Sequence, residues 1–90
     1  MRNLNKFIDD NNRWMAIFGK PARTFPLTQS DVDDILNTLD SNLSPENLHC
    51  DGEISVAEAN RKYRFYAQVA RELEGYCAKS GLTYVEPMEL

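Results

Sequence analysis

The stretch from Asn42 to Arg64, NLSPENLHCDGEISVAEANRKYR, constrains the fold most, because helix stops and starts are concentrated in it. Ser44, Pro45 and Glu46 supply an N-cap, a proline in first helical position and an acid near the positive helix end, so 45 to 48 should form a single turn. Asp51-Gly52 then turns the chain. Ser55-Val56-Ala57-Glu58 is a capping box, in which the serine oxygen accepts from the third helical amide and the glutamate reaches back, so a long helix should start at Val56.

That helix is expected to run to about Lys79 and to end at Gly81 in a left-handed cap. At about 100° per residue, Ala59, Tyr63, Tyr66, Ala67, Val69, Ala70, Leu73, Tyr76 and Cys77 share a broad apolar arc, beside a polar stripe of Arg61, Arg64, Gln68 and Arg71. Two shorter helices in a chain of 90 residues should not cover such an arc, which predicts self-association. Upstream, Leu4, Phe7, Ile8, Asn11, Trp14, Met15 and Phe18 follow helical spacing, with Asn3 as cap and Gly19 and Pro21 as the stop. Asp9-Asp10-Asn11-Asn12 weakens the middle of that first helix, because short polar side chains compete for backbone bonds. Gly19 to Leu27 reads as an ordered basic loop without a strand. Ser30 to Ser41 reads as a second helix, capped by Ser30 and Asp33, with Val32, Ile35, Leu36 and Leu39 on one face and Leu43 extending it. The tail from Leu82 to Leu90 either lies across a helix or neighbouring subunit, or frays. The fold class predicted is all-α in one domain, 1–90: an N-terminal helix and basic loop (1–30), a helical hairpin with a long C-terminal helix (31–81) and a tail.

Charge is segregated. The net charge of -4 argues against non-specific binding to polymeric nucleic acid. Yet residues 11 to 30 sum to +3, 31 to 58 to -8 and 59 to 71 to +4, so a compact anionic ligand could be held locally, unless the opposite segments simply pair with one another. Two cysteines, Cys50 and Cys77, do not make a disulfide framework, and the absence of a long apolar run or leader pattern predicts a soluble intracellular protein with reduced thiols. With one histidine, His49, neither a metal set nor a pair of imidazoles for phosphodiester cleavage can be assembled. Gly19-Lys20 lacks the spacing of a phosphate-cradling loop. No catalytic residue, metal or cofactor is therefore expected, and binding is preferred to catalysis.

Binding chemistry has two candidate locations. Trp14 with Arg13, Lys20 and Arg23 places an aromatic face and phosphate donors within ten residues, and Phe7 and Phe18 are further platforms, although helical spacing also suits Trp14 to the core. Arg61 and Arg64, one helical turn apart and next to Asn60, can grip an anion, or else pair with Glu58, Glu72 or the acidic second helix.

Leu43-Ser44-Pro45-Glu46-Asn47-Leu48, then Asp51-Gly52-Glu53, then the basic helix with Arg61, Lys62 and Arg64, resemble the two-helix hairpin of the phage anti-CBASS cyclic-oligonucleotide sponges and their anti-Thoeris relatives. The likeness covers about 50 residues, Asp31 to Gly81, and the whole chain is similar to the short members of that family from T-even phages. The resemblance implies a protein of the host cytoplasm that sequesters cyclic dinucleotides such as 3′,3′-cyclic GMP-AMP without degrading them, and that assembles as a homo-oligomer, a hexamer. It further implies that an aromatic of the N-terminal region stacks on a base while a nearby lysine meets phosphate, for which Trp14 and Lys20 are the nearest matches, with Arg23, Arg13 and Phe7 around them. A separate pocket for cyclic trinucleotides on the long helix would fall to Asn60, Arg61 and Arg64. The rival expectation is a small helical interaction protein that inhibits or remodels a host enzyme.

Overall fold

The computed structural model describes residues 1–44 and 55–88. These form three helices and no strand: α1 (Arg2–Ile17), α2 (Gln29–Leu43) and α3 (Val56–Ser80). The turn expected at 45 to 48 and the Asp51-Gly52 turn lie outside the described residues, as does Cys50.

α3 spans 25 residues, about 37 Å of helix, and both α1 and α2 pack against it. Its ends follow the local signals: the Ser55 hydroxyl accepts from the Glu58 amide at 3.2 Å, and Gly81 adopts φ 72° as the left-handed stop. The main core cluster among the described residues takes Leu4, Phe7 and Ile8 of α1, Val32, Ile35, Leu36 and Leu39 of α2, and Val69, Ala70, Leu73 and Cys77 of α3. The two shorter helices cover the α3 arc in part: Ala59, Val69, Ala70, Leu73 and Cys77 are buried, Tyr66, Ala67 and Tyr76 are half-buried, and Tyr63 is exposed. Val69, Ala70 and Leu73 are fully buried within one chain, because α1 and α2 both dock on α3 and the segment after Gly81 folds back to add Leu82 and Tyr84 to the same cluster.

That segment is docked rather than frayed. The Gln29 side chain donates to the Thr83 carbonyl at 2.9 Å and accepts from its amide at 2.8 Å, Arg71 pairs with Glu86 at 3.4 Å, and Pro87 is buried. Cys77 is a free thiol in the core, where burial raises its pKa and keeps it protonated.

Two caps differ from their expected positions. α2 starts at Thr28, whose hydroxyl accepts from the Asp31 amide at 3.1 Å while Asp31 accepts from the Thr28 amide at 3.0 Å; the box is Thr28-x-x-Asp31, two residues earlier than Ser30-x-x-Asp33. α1 starts at Arg2 with no side-chain cap of its own, so Asn3 is not the cap. Glu72 of α3 takes that part: its Oε1 accepts from the amides of Asn3 and Leu4 at 2.9 and 3.1 Å, and the N-terminal ammonium lies 3.8 Å away. Glu72→Ala is thus expected to lower stability by about 1 kcal/mol, as loss of a helix cap does, with Glu72→Gln losing less because it keeps an acceptor. Urea denaturation of both variants checks this, and equal midpoints for Ala and wild type would refute the capping role.

The weak middle of α1 is continuous helix because its polar residues are used. The Asn12 amide donates to the Arg23 carbonyl at 2.9 Å and accepts from the Arg23 amide at 2.8 Å, which pins the loop 19–27 along α1. At the helix end, Gly19 turns left-handed at φ 70° and the Lys20 amide bonds to the Met15 carbonyl at 2.8 Å, closing α1. The loop then reaches α2 through Leu27, which is buried and whose amide donates to the Tyr76 hydroxyl at 2.8 Å.

Candidate functional site

A groove of about 730 Å³ opens along one side of α1. Phe7, Asp10, Asn11, Arg13, Trp14 and Ile17 line it from α1, Thr38 and Asn42 from α2, and Phe65 and Tyr66 from α3. Its size falls within the roughly 300–1,000 Å³ usual for small-molecule sites, while its lining is mixed: Phe7, Trp14, Ile17, Phe65 and Tyr66 against Asp10, Asn11, Arg13, Thr38 and Asn42.

Spacing explains how one helix supplies both core and groove. Leu4 and Ile8 are buried beside Phe7, while Asp10, Trp14 and Ile17 follow at intervals of three and four along the stripe that faces the groove. Trp14 is 65% exposed, so its indole is available as a platform and is not a core residue. Phe7 is 6% exposed; it forms the floor and packs edge-on against Tyr66, with ring centres 6.2 Å apart. Phe65 and Tyr66 meet edge-on at 5.5 Å, and the Lys6 ammonium sits 5.5 Å from the Phe65 ring centre, in the range of a cation–π contact. Burial raises the pKa of the Tyr66 phenol and the Asp10 carboxylate raises it further, so this hydroxyl remains a proton donor at neutral pH.

The cations expected to act together are separated. Arg13 is in the groove, 82% exposed and 3.8 Å from Asp10, a solvent-screened pair. Arg23 does not line it: its guanidinium lies 3.5 Å from Asp31 and 3.1 Å from Asp34, and also bonds Met15 Sδ at 3.2 Å and Asn11 Oδ1 at 3.5 Å, so its charge is neutralised by α2. Arg23 instead borders a second, smaller cavity of about 480 Å³ on another side of α1, with Asn5, Asp9 and Phe25. Lys20 is exposed, lines neither cavity, and has no carboxylate partner among the described residues. It follows Ile17, the last α1 residue of the groove, by three positions.

Asn60, Arg61 and Arg64 are exposed on the first turns of α3 and line neither cavity. Their expected partners are otherwise engaged or absent: Glu72 caps α1, and no ion pair joins Arg61 or Arg64 to Glu58 or α2 among the described residues. The described residues contain no group of three or more potential metal ligands, and no described helix is long and apolar enough to cross a membrane.

Sequence reasoning missed Asp10, Asn11, Ile17, Thr38, Asn42, Phe65 and Tyr66 as groove residues. The stripe 7, 10, 14 and 17 on α1 was available as a signal, since these positions share a face. The partners on α2 and α3 carried none, because their place depends on how the helices dock. Comparison with known protein families, curated proteins and solved structures returns no match to this chain.

Proposed function

We propose that this chain is a phage counter-defence protein that binds cyclic dinucleotides such as 3′,3′-cyclic GMP-AMP and holds them without degrading them, so blocking CBASS immunity in the host cytoplasm. The observation that carries this reading is the 65% exposed indole of Trp14 beside a groove of about 730 Å³ walled by Phe65 and Tyr66. A nucleobase needs such a flat apolar face, and its phosphates need cations: Arg13 lines the groove, and Lys20, which lines neither cavity, follows the helix stop three positions after Ile17. Arg23 acts indirectly, by holding the loop that carries Lys20 against Asn12 and α2.

A sponge that does not turn over its ligand must bind near nanomolar strength, about -12 kcal/mol. In this reading α2 and α3 are the hairpin of the sponge family, the assembly is a hexamer, and the exposed Asn60, Arg61 and Arg64 form the second anion site, for cyclic trinucleotides. The resemblance supports assembly, and the α3 arc leaves Tyr63 exposed, with Tyr66, Ala67 and Tyr76 half-buried.

One observation favours the rival class. Ile17 and Phe18 are each 70% exposed next to Trp14, an apolar end of α1 suited to a protein partner such as a host enzyme. Isothermal titration with 3′,3′-cyclic GMP-AMP separates the two: tight binding, with the nucleotide recovered intact after heat denaturation, supports the sponge. Silence supports the interaction protein. Lys20→Ala is expected to weaken that binding by roughly tenfold to a hundredfold, the worth of one charge-assisted phosphate contact, and to flatten its salt dependence. Affinity and salt slope unchanged in the variant would remove Lys20 from the site.

A further inference from the structure

The groove contains an acid where an anion is proposed to bind. Asp10 lines it one helical turn before Trp14, and residues four apart lie on one helix face, so the carboxylate and the indole address the same ligand. Near a phosphate such an acid repels the ligand, unless part of the ligand donates hydrogen bonds to it. Its present partner is weak: Arg13 is 3.8 Å away, with both side chains more than half exposed, so water screens the pair and little is lost when it opens.

A base lying on the indole turns one edge toward that carboxylate. Guanine offers two adjacent donors on its pairing edge, N1–H and the N2 amino group, which match two carboxylate oxygens. Adenine offers one donor, N6–H, beside the N1 lone pair, which faces the carboxylate unfavourably. We infer that Asp10 makes the groove selective for guanine: Trp14 stacks on the base, Asp10 accepts from N1–H and N2–H, and Arg13, released from Asp10, turns to the phosphate. This rests on the proposed nucleotide-binding role of the groove and names its preferred base.

Asparagine in place of Asp10 presents one acceptor and one donor, the complement of adenine, so the substitution should reverse the preference rather than merely weaken binding. The chain has a single tryptophan, so quenching of Trp14 fluorescence reports occupancy of this groove. Titrations of wild type and Asp10→Asn with cyclic di-GMP, cyclic di-AMP, 5′-GMP and 5′-AMP test the inference, with circular dichroism to confirm that the variant folds. Wild type is expected to bind cyclic di-GMP at least about tenfold more tightly than cyclic di-AMP, and Asp10→Asn to bind cyclic di-AMP as tightly or more so. Tight binding of both cyclic dinucleotides without preference, or an equal loss of both in Asp10→Asn, overturns the guanine site and leaves the sequestration reading standing. GMP favoured over AMP, with cyclic dinucleotides bound no better than mononucleotides, keeps the guanine site and overturns sequestration. Failure of all four to quench Trp14 overturns the guanine site, and calorimetric silence with the same ligands and with 3′,3′-cyclic GMP-AMP overturns sequestration as well.

Discussion

Trp14→Ala is expected to weaken cyclic dinucleotide binding by roughly tenfold to a hundredfold while leaving the fold in place. A stacked base is worth about 1–3 kcal/mol by alanine substitution, and each 1.4 kcal/mol is about tenfold in affinity. Two-thirds exposure means that truncating the indole removes little packing: Trp14 is outside the core cluster, and its stability effect should stay within about 0.5 kcal/mol. Titration calorimetry and urea denaturation of the same preparation give the two numbers. Phe7, 6% exposed and packed on Tyr66, provides the contrast, because its removal would damage floor and core together. An unfolded Trp14→Ala protein, or one with wild-type affinity, would remove the indole from the site.

Leu73→Ala should have the largest effect on stability, about 2–5 kcal/mol, through lost transfer energy and the cavity left behind. Leu73 is fully buried in a cluster that takes residues from α1, α2 and α3, so no single neighbour can relax into the space without disturbing another contact. Folded domains are stable by only about 5–15 kcal/mol, so the urea midpoint should fall sharply at unchanged slope. Val56→Ala is the control. Val56 is 71% exposed on the first turn of α3, and the same kind of truncation should shift the midpoint very little there. The loss at Leu73 should not depend on protein concentration, since both helices that cover it belong to the same chain. A concentration-dependent loss would mean that a second subunit completes this part of the core, and a midpoint equal to wild type would contradict its burial altogether.

Local chemistry was enough to place three helices, both ends of α3 and the stop of α1. Ser55 caps α3, and Gly19 and Gly81 stop helices in the left-handed conformation, because each acts on backbone groups within four or five residues of itself. The buried stripe Val32, Ile35, Leu36 and Leu39 was legible for the same reason: periodicity along one helix is a property of that helix alone. Where two local solutions competed, the sequence could not choose. Thr28-x-x-Asp31 and Ser30-x-x-Asp33 are both capping patterns, and the first is formed in a structure where Gln29 grips Thr83, Leu27 is held by Tyr76 and Arg23 lies against Asp31.

The groove depended on tertiary structure almost entirely. Helical spacing leaves Trp14 equally suited to core and surface, and only the docking of α1 on α3 through Leu4, Phe7 and Ile8 turns the indole outward. The same docking brings Phe65 and Tyr66 to Asp10 and Trp14, and the packing of α2 on α3 adds Asn42, across separations along the chain that no pattern in any one segment encodes. Charge behaved likewise. Arg23 and Lys20 are close in sequence and both basic, yet one is neutralised by two carboxylates of α2 and the other has no carboxylate partner among the described residues. Glu72 shows the rule in its sharpest form: it caps a helix that begins seventy residues earlier, because an orphaned amide bonds to whatever acceptor packing brings within about 3 Å, wherever in the chain that acceptor arises.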